Sequence, residues 1–375
     1  MKIGILTYNS VSNYGALFQA YALQKTLEKH GNTVELIEYW PAYRLSPLFK
    51  NPFTQSRNRG TIKWILASGY RFLIDLISLH QNNRRMEYFK DFHSANLNNS
   101  KEKYYSYEEL ASKKPKYDLY IAGSDQLWRH RDDIGFDKGC FLKFVETKNC
   151  KATYAISFGR SSLDSKYLEE FCELTQGIDW ISVREPSAVQ YVAEASGKDV
   201  VWCLDPTLLL DQDEWGALAI PPAKHLNEYI LVYNLAKTPS LVAFAELISK
   251  KLHLPVIYLC YGKHRRFSIP NYVRPEEWLW YFRNATFVVT DSFHGTIFSI
   301  INRKPFYTIQ QKSNSTRVHD LLGELGIPDR LHYPGEVPFE VDSNIDYNTV
   351  YQRLSELRKK SVNYLYDVES QVNSR

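Results

Sequence analysis

The chain has 375 residues, more than one ordinary hydrophobic core accommodates, so two domains are expected. Hydrophobic residues make up 44% and charged residues 23%, the balance of a globular protein, and a net charge of +4 is too small to argue for nucleic acid as a partner. The five cysteines are scattered and include no C-x-x-C pair, which argues against a disulfide framework or a zinc site and fits a reducing cytoplasm.

Met1-Lys2 leads directly into an apolar strand, with no charged and apolar leader before it. No run reaches the roughly 18 apolar residues of a membrane span. A cytoplasmic protein is expected. Ile3–Tyr8 reads as a strand, the polar loop NSVSNYG follows, and 16–30 has helical spacing that stops at Gly31. Residues 33–39 form a second strand, giving a βαβ opening. Residues 41–115 are less regular, with a polar patch QSRNRG at 55–60 and a mixed helical region at 61–93.

A buried strand at 117–122 ends in GSDQLW, and further strands are expected at 151–157, 180–183 and 200–204. Helices are expected at 165–176 and 185–195. The stretch 211–227, with Pro221-Pro222 and little periodicity, reads as a domain link. The alternation then restarts, with strands at 229–235, 256–261, 287–290 and 305–309. Helices lie between and after them at 240–252, 276–283, 294–302 and 317–325, and 347–372 carries one long helical period. Two sets of alternating strands and helices predict an α/β protein of two Rossmann-like domains facing a cleft. The expected units are 1–210 on the acceptor side, a link at 211–227, 228–345 on the donor side, and a C-terminal helix at 346–375 packing back across both.

Four polar clusters fall at expected strand ends, where such sheets bind ligands: NSVSNYG, GSDQLW, SVRE and TDSFHG. In TDSFHG, Ser292 can cap a helix and Gly295 lets a ligand approach the backbone. The N–H groups of Gly295 and Thr296 are expected to point into the cleft, and His294 can carry a proton near neutral pH. The set suits a phosphate or carboxylate; a capped helix with a buried histidine is the plainer reading, and the cluster favours function.

Arg184 in SVRE suits a bidentate anion contact, or else an ion pair with Glu185 or Asp205. Asp125 suits a general base and Trp128 a sugar-stacking ring, or else an Asx turn and a core tryptophan. Asn13 and Gly15 are expected to line the acceptor side. NSVSNYG lacks G-x-G-x-x-G, no P-loop is present, and Asp205 and Asp291 form no D-x-D, so neither a dinucleotide cofactor nor an obligatory metal is expected. The apolar stretch KWILASGYRFLIDLISL at 63–79 reads first as core. If the acceptor is lipid-linked, it is also where peripheral contact with the inner membrane face is expected.

NYGALFQAYALQ, GSDQLW, the SVRE…DPT segment and TDSFHGT…KPF, in that order over roughly residues 2–325, resemble the polysaccharide pyruvyl transferase family. The resemblance implies a GT-B-like fold. It also implies transfer of the enolpyruvyl unit of phosphoenolpyruvate to a sugar as a ketal, with phosphate released. The family arginine that holds the donor falls on Arg184, and the family turn falls on Ser292-Phe293-His294-Gly295. Serine stands where that turn carries arginine, and Arg317 or Lys312 is expected to supply the missing charge. His294 is the expected acid and Asp125 the expected base. A nucleotide-sugar glycosyltransferase of the same fold and a non-catalytic sugar- or anion-binding protein are the alternatives.

Overall fold

The structure is a computed structural model that describes residues 1–9, 12–41, 43, 81, 83–146, 149–159, 163–236, 238–260, 272–310, 316–336 and 340–375. The polar patch 55–60, the apolar stretch 63–79 and Lys312 lie outside these residues, as does most of the helical region expected at 61–93. Among the described residues no helix is long and apolar enough to cross a membrane.

The first sheet has seven strands, all parallel: β1 (Lys2–Leu6), β2 (Thr33–Tyr39), β3 (Asn99–Tyr104), β4 (Leu119–Asp125), β5 (Cys150–Ile156), β6 (Ile181–Val183) and β7 (Val200–Trp202). Their order is β3-β2-β1-β4-β5-β6-β7, so the chain reverses direction across the sheet between β1 and β4. The connecting helices are α1 (Tyr14–Lys29), α2 (residues 83–96), α3 (Tyr107–Lys113), α4 (Leu168–Thr175) and α5 (Val189–Ser196). Gln19 of α1 stitches the reversal point: it donates to Thr7 Oγ1 at 2.8 Å and accepts from the Ser124 N–H at 3.1 Å.

The second sheet has five parallel strands, β8 (Ile230–Asn234), β9 (Val256–Cys260), β10 (Phe287–Thr290), β11 (Phe306–Ile309) and β12 (Leu331–His332), in the order β12-β11-β10-β8-β9. A short helix α6 (Gln212–Gly216) precedes it, followed by α7 (Pro239–Leu252), α8 (Pro275–Asn284), α9 (Phe293–Ile301) and α10 (Arg317–Leu325). Here the reversal lies between β8 and β10. Such reversal points open crevices at the carboxyl ends of strands.

Two elements differ from expectation. The strand β3 reads NSKEKY and carries no apolar alternation, because it is an edge strand with mostly solvated side chains. The 211–227 link begins with α6, held by a capping box between Asp211 and Glu214. It buries Trp215 against Phe18 of α1 and Phe298 of α9, with ring centroids 5.4 and 5.0 Å apart. The link therefore adds to a core shared by both sheets rather than spanning a gap.

The long helix α11 (Tyr347–Asn373) crosses both units. Near its start Tyr351 donates to the Ile301 carbonyl at the end of α9, at 2.6 Å. Further on, Arg358 donates to the Leu208 carbonyl, Ser361 accepts from the Leu204 N–H, and Tyr364 donates to the Thr153 carbonyl. The expected return of this helix across the domains is observed.

Trp215→Ala is expected to cost about 3–5 kcal/mol in urea unfolding, the usual loss for a buried large aromatic. A loss of about 0.5 kcal/mol, the size typical of surface sites, would show that the link is only a tether.

Candidate functional site

The carboxyl ends of the two sheets meet through α1 and α9. Asn13 caps α1 by accepting from the Ala16 N–H at 3.1 Å, which sets the helix start beside the end of β1. Gly15 lies directly under His294: a Cβ there would sit 2.0 Å from the imidazole Nδ1. No other residue type permits this approach. On the other side, Ser292 caps α9, and Gly295 lets that helix settle against Thr290 and Tyr233, where a Cβ would sit 2.2 Å from Thr290 Oγ1.

This cap changes which backbone donors face the cleft. The Gly295 N–H donates to Ser292 Oγ at 3.4 Å and the Thr296 N–H to the Ser292 carbonyl at 3.0 Å. The expectation that these two groups meet a ligand is corrected. The first-turn N–H groups left outside the cap and the helix ladder are those of Phe293 and His294.

A buried charge cluster fills the space between the sheets. Arg184 follows β6 directly, and its side chain is only 1% exposed. Its Nη1 donates to Asp205 Oδ2 at 2.8 Å, while Asp125 and Glu185 carboxylates stand 3.6 and 3.7 Å from its other nitrogens. Its Nε and Nη2 have no hydrogen-bond partner. Burial works against the charge of Arg184, yet the three carboxylates outweigh it and hold the guanidinium ionised.

Asp205 in turn lies 3.5 Å from His294 Nε2. Burial opposes ionisation of Asp205, but the nearness of His294 and Arg184, with the hydrogen bond from Thr207, prevails and keeps the carboxyl well below the usual range. The 3.5 Å separation is long for a hydrogen bond, and His294 Nε2 is buried without one. The contact is an ion pair when the imidazole is protonated.

Two guanidinium groups approach the Phe293 ring. Arg184 lies 5.0 Å and Arg317 5.3 Å from its centroid. Arg317 opens α10, and its guanidinium meets the Gln126 amide oxygen at 3.0 and 3.1 Å once that amide is turned to face it. Its pKa is pushed down to about 10, chiefly by burial and then by the like charge of Arg184. The carboxylates of Glu185, Asp125 and Asp205 oppose that shift.

The sequence-derived residues are therefore not all in one place. Arg184, Asp125, Ser292, His294, Gly295 and Arg317 come together, with Asn13 and Gly15 at the rim. Asp125 ends β4 with a positive φ of 77°, which directs its carboxylate toward Arg184. Trp128 does not join them. It is fully buried, stacked on Phe141 at 5.2 Å and packed against Phe158 and Phe171, so it fills the first core and offers no face to a sugar.

Asp205, offered by the sequence only as an ion-pair partner for Arg184, and Phe293, named only as part of the turn, are central to the cluster. The Asp205-Pro206-Thr207 turn after a strand was the available signal, since such a turn fixes a carboxylate at a strand end.

The fold and cluster define a two-domain α/β protein with a polar, doubly arginine-flanked site between its sheets. The chain belongs to the polysaccharide pyruvyl transferase family, whose description matches residues 13–313. No curated protein matches it in sequence.

Among solved structures it is similar to the UDP-GlcNAc 2-epimerase of Methanocaldococcus jannaschii, at 12% identity over 95% of this chain and 92% of that one, with a TM-score of 0.49. It is also similar to Arabidopsis thaliana UGT89C1 complexed with UDP, at 10% identity over 100% and 99% of the two chains, with a TM-score of 0.48. The E. coli ADP-heptose lps heptosyltransferase II shows 11% identity over 96% and 99%, with a TM-score of 0.37. Likeness this remote carries no argument about activity.

The folded-state value of Asp205 lies below the unfolded one of about 3.9. Its stabilisation is complete above the unfolded value and disappears as pH falls through the folded one. The stability gap between wild type and Asp205→Asn should therefore be widest near neutrality and narrow below about pH 4. A gap that stays constant down to about pH 2 would show that Asp205 gains nothing from its charged neighbours.

Proposed function

We propose that the protein transfers the enolpyruvyl unit of phosphoenolpyruvate to a sugar of a polysaccharide precursor as a pyruvate ketal, releasing phosphate. Family membership supplies the transferase class and the polysaccharide acceptor. The observation that carries the donor reading is the pair of guanidinium groups, Arg184 and Arg317, that both approach Phe293 at the first turn of α9. Phosphoenolpyruvate has a carboxylate and a phosphate on one carbon. Two separated cations beside a helix N-terminus suit two such groups.

Ser292 removes the arginine expected in the turn, and the nearness of Arg317 to Phe293 supports its acting as the replacement. An anion beside Arg317 would relieve the burial and repulsion that now lower its proton affinity.

The chemistry then has an assigned order. A proton from His294 adds to the methylene carbon, leaving C2 electron-poor. A sugar hydroxyl attacks C2 and gives its proton to Asp125. The C–O bond to phosphate breaks, phosphate leaves with the proton held by Asp125, and a second hydroxyl adds at C2 and returns its proton to His294. One phosphoenolpyruvate and one diol give one ketal and one phosphate. The acceptor side falls to the rim formed by Asn13, Gly15 and Asp125. No dinucleotide or metal enters this sequence of steps.

Thermal unfolding with phosphoenolpyruvate is the direct test. Saturating donor, at about 100 times Kd, adds about 2.7 kcal/mol and raises Tm. In Arg317→Gln the phosphoenolpyruvate shift should disappear while the ligand-free protein still unfolds in one cooperative transition. A shift with nucleotide-sugars and none with phosphoenolpyruvate would move the assignment to a glycosyltransferase. A ligand shift without phosphate release on any acceptor would leave a binding protein.

His294→Ala should lower the rate of phosphate release on the order of 10²–10⁴-fold, the usual size for loss of a general acid. A loss below about tenfold would assign His294 to packing on Gly15 instead.

A further inference from the structure

We propose that Asp205 is the positioning residue of this site, fixing from the first domain which nitrogen of the His294 ring bears a proton and how the Arg184 guanidinium lies. The kinetic consequence rests on the pyruvyl-transfer reading; the geometry does not.

The two oxygens of Asp205 are divided between different tasks. Oδ1 accepts from the Thr207 N–H at 3.0 Å and from Thr207 Oγ1 at 2.7 Å, so the carboxylate is locked to its own turn. Oδ2 is thereby aimed at two donors: Arg184 Nη1 at 2.8 Å, from its own domain, and His294 Nε2 at 3.5 Å, from the other. The backbone beneath is held as firmly. The Leu204 N–H donates to Ser361 of α11, and the Leu204 carbonyl accepts from the Tyr154 hydroxyl. Pro206 follows and fixes the turn.

Gly15 packs beneath the face of the His294 ring, which leaves the Nδ1 edge uncovered by it. Arg184 is shared with Asp125 and Glu185, and Arg317 lies 5.3 Å from the Phe293 centroid. A carboxylate oxygen is an acceptor only. The nitrogen facing it is therefore held as N–H, and the second ring nitrogen is left to exchange a proton with whatever enters the cleft. Arg184, gripped at Nη1, keeps Nε and Nη2 without hydrogen-bond partners for an anion.

The test reads the imidazole itself. Nitrogen-15 labelling of histidine, with the His294 signals assigned by their loss in His294→Gln, reports which ring nitrogen is protonated in the ligand-free protein. The expected result is a proton on Nε2 in the wild type. In Asp205→Asn, Thr207 still claims Oδ1, so the amide NH2 turns toward the ring. Two donors then face each other, and the proton should move to Nδ1. A wild-type ring with a bare Nε2 overturns the proposal without need of any variant, as does an Asp205→Asn ring with an unchanged pattern.

Phosphate release from phosphoenolpyruvate should fall about 100-fold in Asp205→Asn, within the range for loss of acid–base function. A protein inactive toward phosphoenolpyruvate, yet with the expected nitrogen signals, would defeat the substrate reading and leave Asp205 as the residue that orients the ring. An Asp205→Asn rate within about threefold of wild type would remove the kinetic role, being too small for a displaced acid.

Discussion

The site depends on the wedging of α1 between the two sheets. Tyr14 stacks on Trp278 of α8 at 5.5 Å, and its hydroxyl donates to the Val273 carbonyl at 2.7 Å. One turn on, Phe18 packs against Trp215, Trp278 and Phe298. These rings belong to one continuous buried cluster that spans both units. An interface this apolar resembles a core more than a hinge, so the two domains hold one relative position. Gly15 lies between the two aromatic anchors of α1, and its contact with His294 follows from where they are fixed. The wedge converts a packing contact into the placement of an imidazole.

Charge balance within the cluster links the two arginines. Arg184 has more carboxylate around it than one guanidinium needs, and its charge is secure even without water. Arg317 has burial and the like charge of Arg184 against it, with Glu185, Asp125 and Asp205 in its favour, so the same carboxylates serve both guanidinium groups.

The sequence showed the architecture because both sheets are parallel and buried, so their strands read as short apolar runs broken by polar turns. It showed Ser292, Gly295 and Arg184 because a cap, a tight approach and a charge at a strand end each have a local signature. The tryptophan of GSDQLW was misplaced because stacking on a sugar and stacking on Phe141 demand the same ring, and only burial separates them. The Gly295 and Thr296 donors were misplaced because the Ser292 side chain and carbonyl had already taken them. The link region hid Trp215 because a single buried residue on a helix of five leaves no periodicity. Asp205 was visible only as a partner for Arg184, since its second contact comes from a residue 89 positions later, His294, in the other domain.

The helix α11 sets an order in time as well as in space. Tyr364 and Ser361 supply hydrogen-bond partners to Thr153 and Leu204, deep in the first sheet, and Glu369 binds His30 and Asn32 beside α1. On a ribosome these side chains emerge after every strand of both sheets. Until then the Thr153 carbonyl has Ser182 of its own domain as a donor, while the Leu204 N–H, one residue before Asp205, lacks its Ser361 partner. A nascent chain therefore holds the backbone beside Asp205 less firmly than the finished one.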